Sequence, residues 1–98
     1  MGKFVFVYYA GASDGGSNEE WGAWFGKLGN KLVDPGNQFN DNGQAVNKDG
    51  VMAVKEMPAT GYSIVTADSM YDAVEIAKGC PLNASSDGGV SVYEALAM

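Results

Sequence analysis

The chain has 98 residues, 46% of them apolar and 18% charged, and twelve acidic residues against six lysines give a formal charge of −6 with no arginine and no histidine. Such a composition belongs to one ordinary globular domain over 1–98, too short to bury a large core alone. Nucleic acids and anionic membranes are bound through Lys and Arg, so this balance argues against both, and a lone Cys80 without histidine leaves neither an internal disulfide nor a zinc site.

Met1-Gly2-Lys3 and the apolar run after it look superficially like a secretory signal, but the run is too short for one. No stretch approaches the roughly 20 apolar residues of a membrane span, and a cytoplasmic protein is expected. Lys3 to Tyr9 reads instead as a strand, with Phe4, Phe6 and Tyr8 on one face and Val5, Val7 and Tyr9 on the other. Both faces are apolar, so the strand is predicted to be central and covered on both sides.

Gly11 to Asn18 is a polar, glycine-rich loop. It ends in Ser17-Asn18-Glu19-Glu20, a capping box that predicts a helix running to about Val33. Trp21, Trp24, Phe25, Leu28 and Leu32 make its apolar stripe, opposite Lys27 and Lys31. Gly22, Gly26 and Gly29 form a second stripe at a cost of roughly 1 kcal/mol each relative to alanine, which calls for close packing against a strand or for room beside a ligand.

Asp34-Pro35-Gly36-Asn37 is a turn, with Pro fixing φ at its second position and Gly accepting positive φ at its third. A short extended piece around Phe39 follows. Gln44 to Lys48 and Val51 to Lys55 flank Asp49-Gly50, a type I′ signal for a short, partly exposed hairpin.

Gly61 to Ala67 is a second strand, in which Tyr62, Ile64 and Thr66 oppose Ser63, Val65 and Ala67. Ser69 then caps a second helix with Asp72 at N3 and a buried stripe of Met70, Ala73, Val74 and Ala77. Lys78 suits its last turn, Gly79 the C′ position and Pro81 the stop. Asn83 to Gly89 is a loop, and its Asn83-Ala84-Ser85 glycosylation pattern reads as an accident of composition. Val90 to Leu96 is a closing strand, with Val90, Val92 and Leu96 sharing a face with Glu94.

This order predicts an α+β fold of the ferredoxin-like βαββαβ kind, an antiparallel sheet with two helices on one face. The other face, apolar in its middle strand, is then expected to be covered by a second copy, making a homodimer with sheets packed face to face.

Two stretches carry a likeness to a known family. One is Glu20-Trp21-Gly22-Ala23-Trp24-Phe25-Gly26-Lys27-Leu28-Gly29, continuing to Val33-Asp34-Pro35-Gly36-Asn37. The other is Thr60-Gly61-Tyr62-Ser63-Ile64-Val65 with Ala67-Asp68-Ser69 and Ala77-Lys78-Gly79-Cys80-Pro81-Leu82. With Lys3 to Tyr8 and Gly89-Val90-Ser91-Val92, the chain resembles the YCII-related proteins of the dimeric α/β-barrel superfamily over nearly its whole length, the middle hairpin excepted. The resemblance implies a ferredoxin-like subunit, a sheet-to-sheet dimer and one small pocket per subunit, in a family whose molecular functions are mostly unassigned. Relatives that look like muconolactone isomerases or dehalogenases use a His and Asp pair. This chain has no histidine, and the acidic member would fall near Gly79-Cys80, where no carboxylate stands.

Gly11 to Gly16 has the glycine spacing of a phosphate loop but lacks its Lys and Ser/Thr, and Asp14 sits where phosphate would. Cys80 follows a helix C-terminus, where the dipole disfavours a thiolate, and reads as an inert buried thiol rather than a nucleophile. Tyr8, Tyr9 and Trp24 suit either an aromatic pocket or plain core packing, and Asp14 is the best-placed carboxylate for general-base work, though a solvated loop aspartate is the simpler reading. Asp41-Asn42-Gly43 and Asp49-Gly50 lack calcium-loop spacing and are turns. The expectation is a homodimer that binds a small apolar or aromatic ligand, without metal or cofactor, the candidate pocket residues being Tyr8, Tyr9, Asp14, Trp24 and Cys80. The alternatives are a lyase- or isomerase-like enzyme without the His-Asp pair and a module for protein–protein contact.

Overall fold

A computed structural model describes residues 2–9, 17–39, 43–53, 59–84 and 88–96. In chain order these form β1 (Gly2–Tyr9), α1 (Asn18–Leu28), β2 (Leu32–Asp34), β3 (Gln44–Asn47), β4 (Gly50–Ala53), β5 (Gly61–Ala67), α2 (Met70–Ala77) and β6 (Gly89–Ala95). The fold is α+β: a four-stranded antiparallel sheet ordered β2-β5-β1-β6, two helices and a separate two-stranded sheet of β3 and β4. This order is broadly compatible with a ferredoxin-like arrangement.

β1, apolar on both faces, lies where such a strand must, between β5 and β6. Its register pairs Phe4 with Val65 and Glu94, Phe6 with Ser63 and Val92, and Tyr8 with Gly61 and Val90. Period two then sorts the sheet into two faces. One carries Phe4, Phe6, Tyr8, Ser63 and Val65, all buried. They meet Trp24 and Leu28 from α1 and Ala73 and Ala77 from α2, so both helices share this side. The opposite face carries Val5, Val7, Tyr9, Tyr62 and Ile64, all half-buried in the isolated chain, with Tyr93 exposed.

α1 starts where its capping box predicts. The Glu20 N–H donates to Ser17 Oγ and the Ser17 N–H to Glu20 Oε1, both at 3.1 Å, satisfying two amide donors left free at a helix start. α2 starts in the same way, the Asp72 N–H donating to Ser69 Oγ at 3.1 Å. Its end is closed by side chains. The Trp24 indole and the Gly79 amide both donate to the Ile76 carbonyl, while the Asn83 amide and the Cys80 N–H donate to that of Ala77. Asn83 of the glycosylation-like triplet thus has a structural use within a short 3-10 turn, Pro81–Ala84, where a loop is expected from Asn83 onward.

Five expectations are corrected. α1 does not reach Val33: it stops at Leu28 because Gly29 adopts φ +53, and Leu32, assigned to the helix stripe, is a β2 residue opposite Val65. The edge strand of the main sheet is therefore this short piece, and the hairpin stands outside that sheet. In the hairpin the turn is Lys48-Asp49, closed by Asn47 opposite Gly50, and no non-glycine residue there has positive φ, so it is not type I′. An Asx turn, with the Asp49 N–H donating to Asn47 Oδ1 at 2.8 Å, sets it instead. The buried stripe of α2 is Ala73, Ile76 and Ala77; Met70 and Val74 are exposed. Gly79 lacks the positive φ expected at C′, and Gly22 and Gly26 face open space rather than a strand, because the aromatic stripe a third of a turn away takes the sheet side.

The turn at Asp34 to Asn37 is as predicted. Gly36 has φ +76, and the Gly36 N–H donates to Asp34 Oδ1 at 2.8 Å. A Cβ at Gly36 would overlap the Tyr62 carbonyl oxygen, so the position combines positive φ with close backbone approach.

Candidate functional site

β1 delivers Tyr8 to the covered face at the end of the strand, and the first two turns or so of α1 lay Trp21, Trp24 and Phe25 over it. Residues three and four apart share a helix face. The rings therefore touch in sequence order: Trp21 to Trp24 at 5.7 Å, edge to face, and Trp21 to Phe25 at 5.6 Å. Tyr8 meets Trp21 at 4.9 Å and Trp24 at 6.1 Å, both near-perpendicular, and Trp24 also stacks with Phe6 at 6.2 Å. These are the offset and edge-on arrangements that ring quadrupoles favour.

Polar atoms inside this cluster are few. The backbone carbonyl of Tyr8 is doubly served, by the Thr60 N–H at 2.7 Å and by Thr60 Oγ1 at 3.2 Å. Its phenol is not: Tyr8 is 5% exposed and its hydroxyl has no hydrogen-bond partner. Ser63, wholly buried, donates its hydroxyl to the Pro35 carbonyl at 2.7 Å, and its oxygen keeps lone pairs able to accept from the Tyr8 phenol beside it. It is near enough to favour an ionised Tyr8 slightly, but burial outweighs this and holds the phenol well above the ordinary tyrosine range, an effect to which neighbouring Cys80 adds. Burial likewise pushes the Cys80 thiol up to about 11, against a smaller lowering from the Leu82 backbone. At neutral pH both groups are protonated, which suits them to donate hydrogen bonds and not to act as base or nucleophile.

Of the sequence-predicted residues, Tyr8, Trp24 and Cys80 come together in this buried cluster. Tyr9 does not join them, since the alternation of β1 places it on the opposite face of the sheet. Asp14 and the glycine loop Gly11 to Gly16 lie outside the described residues, as do Asp41 and Asn42. Ser63 and Trp21 belong to the site as well, beyond the pocket residues that the sequence predicts. The signal for Ser63 was available: Gly61, Ser63, Val65 and Ala67 are the small residues of one strand face, and small residues mark the face under a bulky cover.

A separate cleft of about 330 Å³ opens between α2 and the end of β5, where Lys31, Asp68, Asp72 and Glu75 come near one another. Glu75 is tied to Lys78 at 2.9 Å, and among the described residues no group of three ligating side chains is placed to hold a metal ion. None of the predicted site residues lines this cleft.

No family model, curated protein or solved structure matches the chain. Among the described residues no helix is long and apolar enough to cross a membrane.

Proposed function

We propose that the chain is a homodimeric, cytoplasmic small-molecule-binding protein of the YCII-related type, with a ferredoxin-like βαββαβ subunit and its pocket between α1 and the sheet. The observation that carries the binding role is the aromatic cluster of Tyr8, Trp21 and Trp24, in which the Tyr8 hydroxyl is buried and makes no hydrogen bond of good geometry, with Ser63 alone beside it. A buried donor that is poorly satisfied costs free energy, which a bound acceptor would relieve. Pairing is supported by the uncovered sheet face, whose central residues Val5, Val7 and Ile64 are only half-buried in the single chain.

Catalysis by Tyr8 or Cys80 is the weaker reading, because burial keeps both protonated. A role in protein contact is favoured by one feature, the hairpin pair Val46 and Val51, 73% and 62% exposed and directly opposite one another. Light scattering together with a thermal-shift screen of small apolar and aromatic compounds tests the main proposal. The expected result is a dimer mass and at least one compound that raises the melting temperature with dose. A monomer that responds to none of them would end this reading.

A further inference from the structure

The hairpin of β3 and β4 is the part of the fold least supported by its own chain. Its strands have four residues each, and among the described residues neither packs extensively on any element but the other. A two-stranded hairpin alone is at best marginally stable in water. Period two places Ala45 and Met52 on one side, half-buried, and Val46 opposite Val51 on the other, both exposed. The valine side needs cover.

A second copy is the occupant that the dimensions favour. Four strands about 4.8 Å apart, each of about seven residues at about 3.3 Å, would make an open sheet face of about 440 Å², and the three-residue β2 makes it smaller. Each partner in a standard interface contributes about 800 Å². The remaining surface must come from outside the sheet, and the hairpin stands beside its β2 margin. The chain runs along that margin through the Gln38–Gly61 bridge, and Phe39, shortly before β3, stacks on the open-face residue Tyr62 at 5.8 Å. A two-fold axis along the strands, through the middle of the packed faces, lays the β2 margin of one copy over the β6 margin of the other. There Tyr93, in register with Val5, is the exposed aromatic of the open face. Charge does not oppose the approach, since Gln44 to Ala53 holds one lysine and one aspartate and brings no net charge to a copy of −6.

We infer that β3 and β4 form a dimerisation arm, whose Val46 and Val51 side packs on the β6 margin of a second copy beside Tyr93. The inference rests on the homodimer proposed above and gives the hairpin outside the main sheet its role in that dimer. Lys48, in the turn beyond the valine pair, lies outside the docked side.

The test uses the full chain. Light scattering over a dilution series gives the dimer dissociation constant of the native chain and of the double variant Val46→Gln/Val51→Gln, and circular dichroism checks that the variant keeps its fold. A second measurement does not depend on that variant: Val46→Cys and Tyr93→Cys, made in separate chains, are mixed and oxidised, and disulfide-linked product is read on a non-reducing gel. Cys80, being buried, stays out of the reaction. The double glutamine variant is expected to dissociate with a constant raised about tenfold or more, and the mixture is expected to give a linked dimer that neither cysteine variant gives alone. An unchanged constant without a linked product overturns the arm and leaves the sheet-to-sheet dimer standing. If the glutamine variant unfolds, the linked product decides by itself, its absence overturning the arm. A native chain that stays monomeric at every concentration overturns the arm and the homodimer together.

Discussion

Trp24 of α1 donates its indole N–H to the carbonyl of Ile76 in α2 at 3.3 Å, and the same ring occupies the space that a Cβ on Gly79 would need, 3.1 Å from the indole nitrogen. One side chain thus joins the two helices, caps the end of the second and fixes the residue type three positions on.

The first prediction concerns that joint. Gly79→Ala pushes a methyl group against a ring that is buried and hydrogen-bonded, and should cost about 1–2 kcal/mol. Trp24→Phe removes the hydrogen bond and leaves a void, at about 2–4 kcal/mol. In the double variant the alanine occupies space the smaller ring has vacated, so the combined loss should be less than the sum by about 1 kcal/mol. Urea unfolding of the three variants measures this, and strict additivity would show that Gly79 and Trp24 are uncoupled.

A second prediction sets one substitution at two glycines against itself. Gly36→Ala places a Cβ into the Tyr62 carbonyl at φ +76 and should destabilise by about 2 kcal/mol or more. Gly26→Ala adds a methyl in open space inside α1 and should stabilise by about 1 kcal/mol. Opposite shifts of the urea midpoint are expected.

pH provides the third. Cys80 holds its proton up to about pH 11 in the folded chain, against 9.0 for a free thiol. Between those values the unfolded chain binds fewer protons than the folded one, so stability is complete below pH 9 and falls as pH rises towards 11. Tyr8, also raised by burial, extends the decline in the same direction. Denaturation midpoints from pH 7 to 11 should show the fall, and Cys80→Ala should flatten its first part. In the native chain below pH 9, thiol-modifying reagents should react far more slowly than in urea.

The fourth addresses the open sheet face, where Val5 and Ile64 stand directly opposite one another in register. Val5→Glu or Ile64→Glu puts a carboxylate at its centre and should reduce the proposed dimer to a monomer by light scattering, with far-ultraviolet circular dichroism unchanged. Lys48→Glu, on the separate hairpin, should leave the mass alone.

Much of the architecture was legible because local chemistry and tertiary packing agree. Ser17 and Ser69 cap the helices they announce, and β1 is central because both its faces are apolar. The rest depended on competition that spacing does not reveal. Leu32 continues the helical stripe perfectly well, and only the φ of Gly29 and the free edge of β5 make it a strand residue. Met70 and Val74 are more apolar than Ala73, yet close approach of α2 to the sheet selects alanine for the inside. Within the site, Tyr8, Trp24 and Cys80 were readable as apolar residues of a strand end, a helix stripe and a helix exit, whereas the surroundings of the Tyr8 hydroxyl are a property of three-dimensional neighbours and have no trace in the sequence.

The two margins of the main sheet are unlike. β2 has only three residues, shifts register between Leu32 and Asp34, and runs into Pro35, which has no amide hydrogen; β6 has seven residues in unbroken register with β1. Edge-to-edge growth of a fibre needs a usable strand at both margins of every copy. Here a second chain can add alongside β6, but a third finds no matching template at β2. The poverty of its shortest strand thereby protects this sheet against endless edge-to-edge polymerisation.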